Sequence, residues 1–157
     1  FKNLFTQGMV CHETYKDKNG NWLYPDEIVK DNNHNFIKEK DGSKVTVGPS
    51  ESMSKSKKNT IDPEKIISEY GADAVRLFIL SDSPPEKDVQ WSETGISASY
   101  KFLQKLWALN EKIISNKKKS SKFDQGLEKF TNQIIKKFTD DLNRFGFNVV
   151  IASIYKI

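Results

Sequence analysis

Apolar positions along the chain fall into two spacings. From Cys11 to about Pro49 they come in short runs, Trp22-Leu23-Tyr24, Asn35-Phe36-Ile37 and Lys44-Val45-Thr46-Val47, separated by the turn clusters Asp17-Lys18-Asn19-Gly20-Asn21, Asp31-Asn32-Asn33 and Asp41-Gly42-Ser43. Asn-Gly and Asp-Gly flanked by such runs are hairpin signals, so this stretch predicts a small β-rich unit. A unit that short holds little core of its own, which leaves two readings: an insertion packed on a parent domain, or a loosely ordered surface excursion. Residues 1–10, with Gly8 ahead of Met9 and Val10, read as the end of a helix or strand.

Beyond Asp62 the spacing becomes helical. Asp62 is a good N-cap and Pro63 suits the first helical position, with Ile66, Ile67 and Tyr70 as an apolar face that Gly71 ends. A second helix follows over residues 72–80, and Pro84-Pro85 forbids its continuation. Ser92 can cap a long helix to about Ser115, whose stripe is Ile96, Tyr100, Leu103, Leu106, Trp107, Leu109, Ile113 and Ile114. After a polar, basic linker over residues 116–126, a helix over 127–143 presents Phe130, Ile134, Ile135, Phe138 and Leu142, and a last one starts near Asn148. Such helices make part of an antiparallel bundle, and a cut bundle is expected to expose apolar surface.

Composition narrows the class. At 157 residues, with 11% aromatic and 29% charged side chains, the chain has room for one domain or two small ones and is too aromatic for a disordered tail. It has no apolar run long enough to cross a membrane. The first residue is Phe1 rather than Met and the last, Ile157, falls inside an apolar helix, which reads as a piece of a longer protein. A single cysteine, Cys11, excludes an internal disulfide framework and points to a reducing compartment. Cys11 and His12 are adjacent, but zinc would need ligands that only His34 and scattered carboxylates could add, so no metal site is assigned.

The net charge of +4 is unevenly spread. Residues 51–59 carry three basic and one acidic side chain, residues 60–100 three and eight, and residues 101–157 twelve and five. Basic excess in two places suits a chain that meets polyphosphate, and equally suits solvated helix faces. The sharper signal is Ser50-Glu51-Ser52-Met53-Ser54-Lys55-Ser56-Lys57-Lys58-Asn59, which supplies hydroxyls, backbone amides and three ammonium groups just upstream of a capped helix. A loop of that kind can close on a triphosphate, lysine acting as a mobile point charge. By composition alone such runs are also ordinary exposed linkers.

Order and context sharpen the reading. Ser52-Met53-Ser54-Lys55-Ser56 resembles the Lys-Met-Ser-Lys-Ser signature of class I aminoacyl-tRNA synthetases, and Lys57-Lys58-Asn59 with Ile61-Asp62-Pro63 is similar to the family's residues just after that signature. Residues 70–78, Tyr-Gly-Ala-Asp-Ala-Val-Arg-Leu-Phe, resemble a stretch shared by the leucyl, isoleucyl, valyl and methionyl enzymes. Phe5-Thr6-Gln7-Gly8-Met9-Val10, the β-rich insertion ahead of the signature, Val89-Gln90-Trp91-Ser92 and Phe147-Asn148 look like the bacterial leucyl family. The resemblance covers essentially the whole chain.

That resemblance implies an α/β part followed by an all-α part. Residues 1–10 are then the end of a Rossmann-type catalytic core, 11–49 a β-rich leucine-specific-type insertion, 50–91 the signature loop with connecting helices, and 92–157 the start of a helical anticodon-binding domain. The implied chemistry uses ATP, with Mg2+, to activate leucine and pass it to tRNA(Leu), in a cytoplasmic, monomeric enzyme of which these residues are a segment. By the family's motif Lys55 is the catalytic lysine that stabilises charge on pyrophosphate, and Ser52, Met53, Ser54, Lys55 and Ser56 form the ATP-binding loop. Ser52 stands where the signature has lysine, so a cationic phosphate contact at that position is not implied, and Lys57 or Lys58 could supply the missing charge. The other signature of the family, His-Ile-Gly-His, is not in these residues, so they are expected not to activate leucine alone.

Lys57, Lys58, Lys136, Lys137 and Arg144 are the candidate tRNA contacts, with Lys117–Lys119, Lys122 and Lys129 beside them, against a reading as solvated lysines. Arg76 is read as an ion pair with Asp73, or a tRNA contact; Trp91 and Trp107 as packing, or base stacking. A non-catalytic RNA-binding module, and the valyl or isoleucyl enzyme, are the competing functions.

Overall fold

The computed structural model describes residues 4–116 and 124–156. The linker lysines 117–119 and 122 lie outside the described residues. The chain forms two compact units, Phe1–Glu69 with Lys87–Ser92, and Tyr70–Glu86 with Glu93–Ile157. Residues 70–86, which the resemblance groups with the signature loop, cluster with the later helices.

In the first unit, strand β1 (Val10–Lys16) is central. Strand β5 (Thr46–Ser52) runs antiparallel along one edge, with Cys11 opposite Ser52 and Tyr15 opposite Val47. The other edge takes β2 (Trp22–Leu23), antiparallel to Tyr15 and Lys16, and β6 (Val89–Gln90), parallel to Val10 and Cys11. Two further strands, β3 (Ile28–Lys30) and β4 (Phe36–Lys38), pair antiparallel. The mixed α/β class is as expected, and two of the three turn clusters fall at the reversals between β1 and β2 and between β3 and β4, the third, Asp41-Gly42-Ser43, lying between β4 and β5.

The sheet's register slips between Glu13 and Thr14. Glu13 faces Ser50 while Thr14 faces Gly48, so Pro49 is the extra residue. A bulge suits proline, which has no N–H for the ladder. The Thr14 hydroxyl donates to the Pro49 carbonyl at 3.0 Å. Tyr15, Leu23 and Val45 form a small buried core with Ile28 and Phe36 packed on it, each large apolar side chain contributing roughly 1.5–3 kcal/mol. The insertion-like stretch therefore has a small packed core.

Helix α1 (Pro63–Tyr70) starts as predicted, Asp62 Oδ1 accepting the Glu64 N–H at 2.9 Å. Its buried residue is Ile66, whereas Ile67 faces solvent, which narrows the predicted face. Gly71, at φ 81°, separates α1 from α2 (Ala72–Asp82) in a conformation that favours glycine. α2 runs two residues beyond the predicted end.

In the second unit α2 packs on α3 (Glu93–Ser115) and α5 (Phe147–Ile154), and α4 (Gln125–Asn143) lies against α5. Ala74, Phe78, Ile96, Ser99, Val150 and Ile151 are buried. The α3 stripe is only half realised. Ile96 is buried and Tyr100 and Leu103 half-buried, but Leu106, Trp107, Leu109, Ile113 and Ile114 are exposed, Trp107 at 69%. No described element covers that end of α3, so the expectation of packing for Trp107 is corrected. Likewise, of the predicted apolar positions on α4 only Ile134 and Phe138 are half-buried, while Phe130, Ile135 and Leu142 face solvent. The expected exposed apolar surface is thus present.

Residues 4–9 form no helix or strand, and Val10 opens β1, where the sequence suggested an element already ending. Gly8 passes so close to Lys87 that an added Cβ would sit 2.1 Å from the Lys87 carbonyl oxygen. The strand β6 went unpredicted because its partner is far away in sequence.

Candidate functional site

The signature segment begins inside the sheet. Ser50, Glu51 and Ser52 belong to β5, so only Met53 onward leaves the strand, later than a loop starting at residue 50 implies. The Met53 N–H still donates to the Val10 carbonyl at 3.0 Å, extending the ladder one step. Ser50 Oγ donates to Gln90 Oε1 at 2.6 Å, and Ser52 Oγ lies 4.0 Å from the buried Cys11 Sγ. The Ser52 side chain therefore sits beside a thiol, and Cys11 and His12 are the buried thiol and half-buried imidazole of β1.

Residues 55–58 turn sharply. The Lys58 N–H donates to the Lys55 carbonyl at 3.3 Å, and Lys58 itself has φ 54°, a left-handed conformation that lets the chain reverse. Ser54 Oγ accepts from the Lys57 N–H at 3.3 Å and lies 3.3 Å from Ser56 Oγ. The three lysines differ in what they meet. Lys57 pairs with Glu51, and the Lys58 ammonium lies 5.1 Å from the centre of the Tyr24 ring. Lys55 and Ser56 are exposed, and among the described residues Lys55 makes no ion pair.

One residue beneath the turn has no role of its own in the sequence pattern, which marks it only as part of the run after the signature. Asn59 is 0% exposed, and both ends of its carboxamide are hydrogen-bonded. Oδ1 accepts the Ser54 N–H at 2.9 Å, while Nδ2 donates toward the carbonyls of Glu51 (3.0 Å), His12 (3.2 Å) and Ser52 (3.4 Å). A polar residue after a lysine run has no periodicity to mark it as buried. Beyond its membership of the run that resembles the family's residues after the signature, its signal is a place immediately after a tight turn, where Asn side chains often satisfy backbone groups.

The other candidate contacts lie on α4 and just after it. Lys137 Nζ donates to Asp141 Oδ2 and to Ser153 Oγ of α5, both at 2.9 Å. Arg144 donates to Asp141 Oδ1 at 2.9 Å and to the Asp140 carbonyl at 3.2 Å. The hydrogen bond from Lys137, with Arg144 adding to it, holds the Asp141 carboxyl below the usual carboxylate range. Lys136 lines the same shallow groove, with Gln133 and Asp140. Arg76 pairs with Asp73 at 2.8 Å, the structural reading of that residue. Among the described residues no group of three His, Cys, Asp or Glu side chains could hold a metal ion, and no helix is long and apolar enough to cross a membrane.

Comparison with known proteins gives these features a family. The profile of tRNA synthetases class I (I, L, M and V) matches residues 32–92. Leucine–tRNA ligase of Rickettsia bellii is 52% identical over 97% of this chain, and that of Zymomonas mobilis 47% identical over 100% of this chain. The chain spans 18% of the length of each of these relatives. Among solved structures, the ternary complex of Agrobacterium radiobacter K84 agnB2 LeuRS-tRNA-LeuAMS superposes with a TM-score of 0.53 at 28% identity, covering 67% of this chain and 15% of that one. From the profile match and the identity to these relatives over nearly all of its length, the chain belongs to the class I tRNA synthetases as a segment of the leucine–tRNA ligase kind.

Proposed function

We propose that these residues form one wall of the ATP site of a leucine–tRNA ligase, together with the first helices of its tRNA-binding part. In this reading residues 1–10 end a Rossmann-type core, residues 11–49 are its β-rich insertion, and residues 92–157 begin the anticodon-binding helices. The leucine carboxylate attacks the α-phosphorus of ATP, the bond to the β-phosphate breaks, and pyrophosphate leaves as leucyl-adenylate forms. The leucyl group then passes to the 3′ end of tRNA(Leu). Mg2+ arrives with ATP as part of the substrate.

The observation that carries this reading is the division of labour among the lysines. Lys57 and Lys58 are engaged within the unit, whereas the turn presents Lys55 to solvent with no competing carboxylate. A cation left available in that way can follow negative charge as it grows on a departing pyrophosphate, which is where electrostatic stabilisation accelerates phosphoryl chemistry. Met53, Ser54 and Ser56 shape the turn around it, and Ser52, held beside Cys11, offers a neutral hydroxyl.

The test is leucine-dependent ATP–pyrophosphate exchange in the full-length enzyme. Lys55→Ala is expected to lose about 2–4 kcal/mol of transition-state stabilisation, roughly a 30- to 1000-fold drop in kcat/KM. Exchange at the unaltered rate in Lys55→Ala would remove the assignment. The isolated 157 residues are expected to show no exchange above background, since they present one side of the site.

A further inference from the structure

Lys55 does the work in the reading just given, yet among the described residues nothing grips its side chain. Its placement rests on the backbone of the turn, and both ends of that turn meet at Asn59. Upstream, the Ser54 N–H donates to Asn59 Oδ1 at 2.9 Å; downstream, Asn59 directly follows Lys58, whose left-handed backbone closes the reversal. Residues 54–59 thus form a ring closed through one side chain. The same carboxamide fastens the ring to the sheet, through the carbonyls of Glu51 and Ser52 on β5 and His12 on β1.

We infer that Asn59 is a positioning residue for the activation step, holding the turn as one body so that Lys55 meets the pyrophosphate at a fixed place. The inference rests on the proposed function. A carboxamide of this length can accept from Ser54 while its two N–H groups are shared among three carbonyls. Aspartate would set an oxygen against those carbonyls, glutamine is one methylene too long for a site already filled, and alanine removes both the acceptor for the Ser54 N–H and the donor to the carbonyls.

The test uses the full-length enzyme carrying Asn59→Ala, Lys55→Ala, or both, with Asn59→Ser as a milder variant that keeps one hydroxyl. In pyrophosphate exchange, Asn59→Ala is expected to lower kcat by roughly 100-fold, the scale of a ~1 Å misplacement of a reacting group, with the KM for leucine within about threefold. The decisive comparison is the double variant. If Asn59 acts through Lys55, adding Asn59→Ala to Lys55→Ala costs little more, because residues acting as a unit are not additive. Equal losses in both backgrounds would mean a general structural role and overturn the inference, as would exchange at the unaltered rate in Asn59→Ala. If Asn59→Ala does not yield soluble enzyme, Asn59→Ser takes its place in the same comparison. Loss of soluble protein in both also overturns it, making Asn59 a determinant of folding rather than of placement. A parent enzyme without exchange, or Lys55→Ala at full rate, removes the functional reading itself; failure of the Asn59 comparison alone leaves that reading standing.

Discussion

Gly48 approaches Thr14 so closely that a Cβ at position 48 would lie 2.5 Å from the Thr14 hydroxyl oxygen. Thr14 is buried and its hydroxyl is committed to the Pro49 carbonyl, so it has little room to yield. Gly48→Ala is therefore expected to destabilise the first unit by about 1–3 kcal/mol, the range for overpacking a filled site. Denaturant unfolding of the Gly48→Ala, Thr14→Ala and double variants checks it. The double variant should lose less than the sum of the single ones, since removing the hydroxyl frees the space.

Two turns of the β-rich unit share one hydrogen-bond pattern. Asp17 Oδ1 accepts the N–H groups of Asn19 and Asn21, and Asp31 Oδ1 accepts those of Asn33 and Asn35. The fourth residue of each is left-handed, Gly20 at φ 83° and His34 at φ 63°. Gly20→Ala should cost about 1–2 kcal/mol from left-handed strain. His34→Gly should fall within about 0.5 kcal/mol of the parent, because relief of that strain offsets the entropy glycine adds to the unfolded chain. A thermal melt of each separates the two outcomes.

Acid should loosen these turns. The Asn21 side-chain and backbone hydrogen bonds lower the Asp17 carboxyl, the Asn35 backbone N–H lowers that of Asp31, and the Ser43 hydrogen bonds lower that of Asp41, each below 3.8. A carboxyl depressed in the folded state contributes stability that is present above its unfolded value and is lost as pH falls through the folded one. Amide exchange at Asn19, Asn21, Asn33, Asn35 and Ser43 is expected to lose protection, relative to its intrinsic rate, as pH falls below about 4. Protection constant down to about pH 2.5 would contradict this.

Among the candidate tRNA contacts, Lys136 and Lys137 should behave differently when reversed in charge. Lys136→Glu in the full-length enzyme is expected to weaken tRNA binding at any sequence and to reduce the slope of log affinity against log salt by about one. Lys137→Glu also breaks the bridge from α4 to Ser153 of α5 and places a carboxylate beside Asp141, so it should lower the melting temperature as well. An unchanged KM for tRNA in Lys136→Glu would remove that residue from the interface.

How much of the fold is legible in the sequence depends on how local each cause is. Asp62 and Pro63 announce α1, and Gly71 its end, because capping and backbone conformation are decided by a few neighbouring residues. The hairpin turns were equally legible. Two features were not. The α3 stripe identified apolar positions, but burial needs a partner surface, and Leu106 to Ile114 find none among the described elements. The site was legible as a motif and opaque as a mechanism. Lys55 stood out by its place in the signature, while Asn59 is buried by contacts with His12 and Glu51 that no local pattern encodes.

The pairing of β6 with β1 bears on how the protein is made and how it resists being cut. During synthesis one edge of β1 stays open at Val10 and Cys11 until Val89 and Gln90 have emerged, so the first unit is completed only after the segment 70–86 exists. The same stitching means that one protease cut near Pro84-Pro85 leaves two pieces still joined through a sheet, the upstream one holding β1 and the downstream one holding β6. Such a nicked chain should run as two bands under denaturing conditions and as one species when folded.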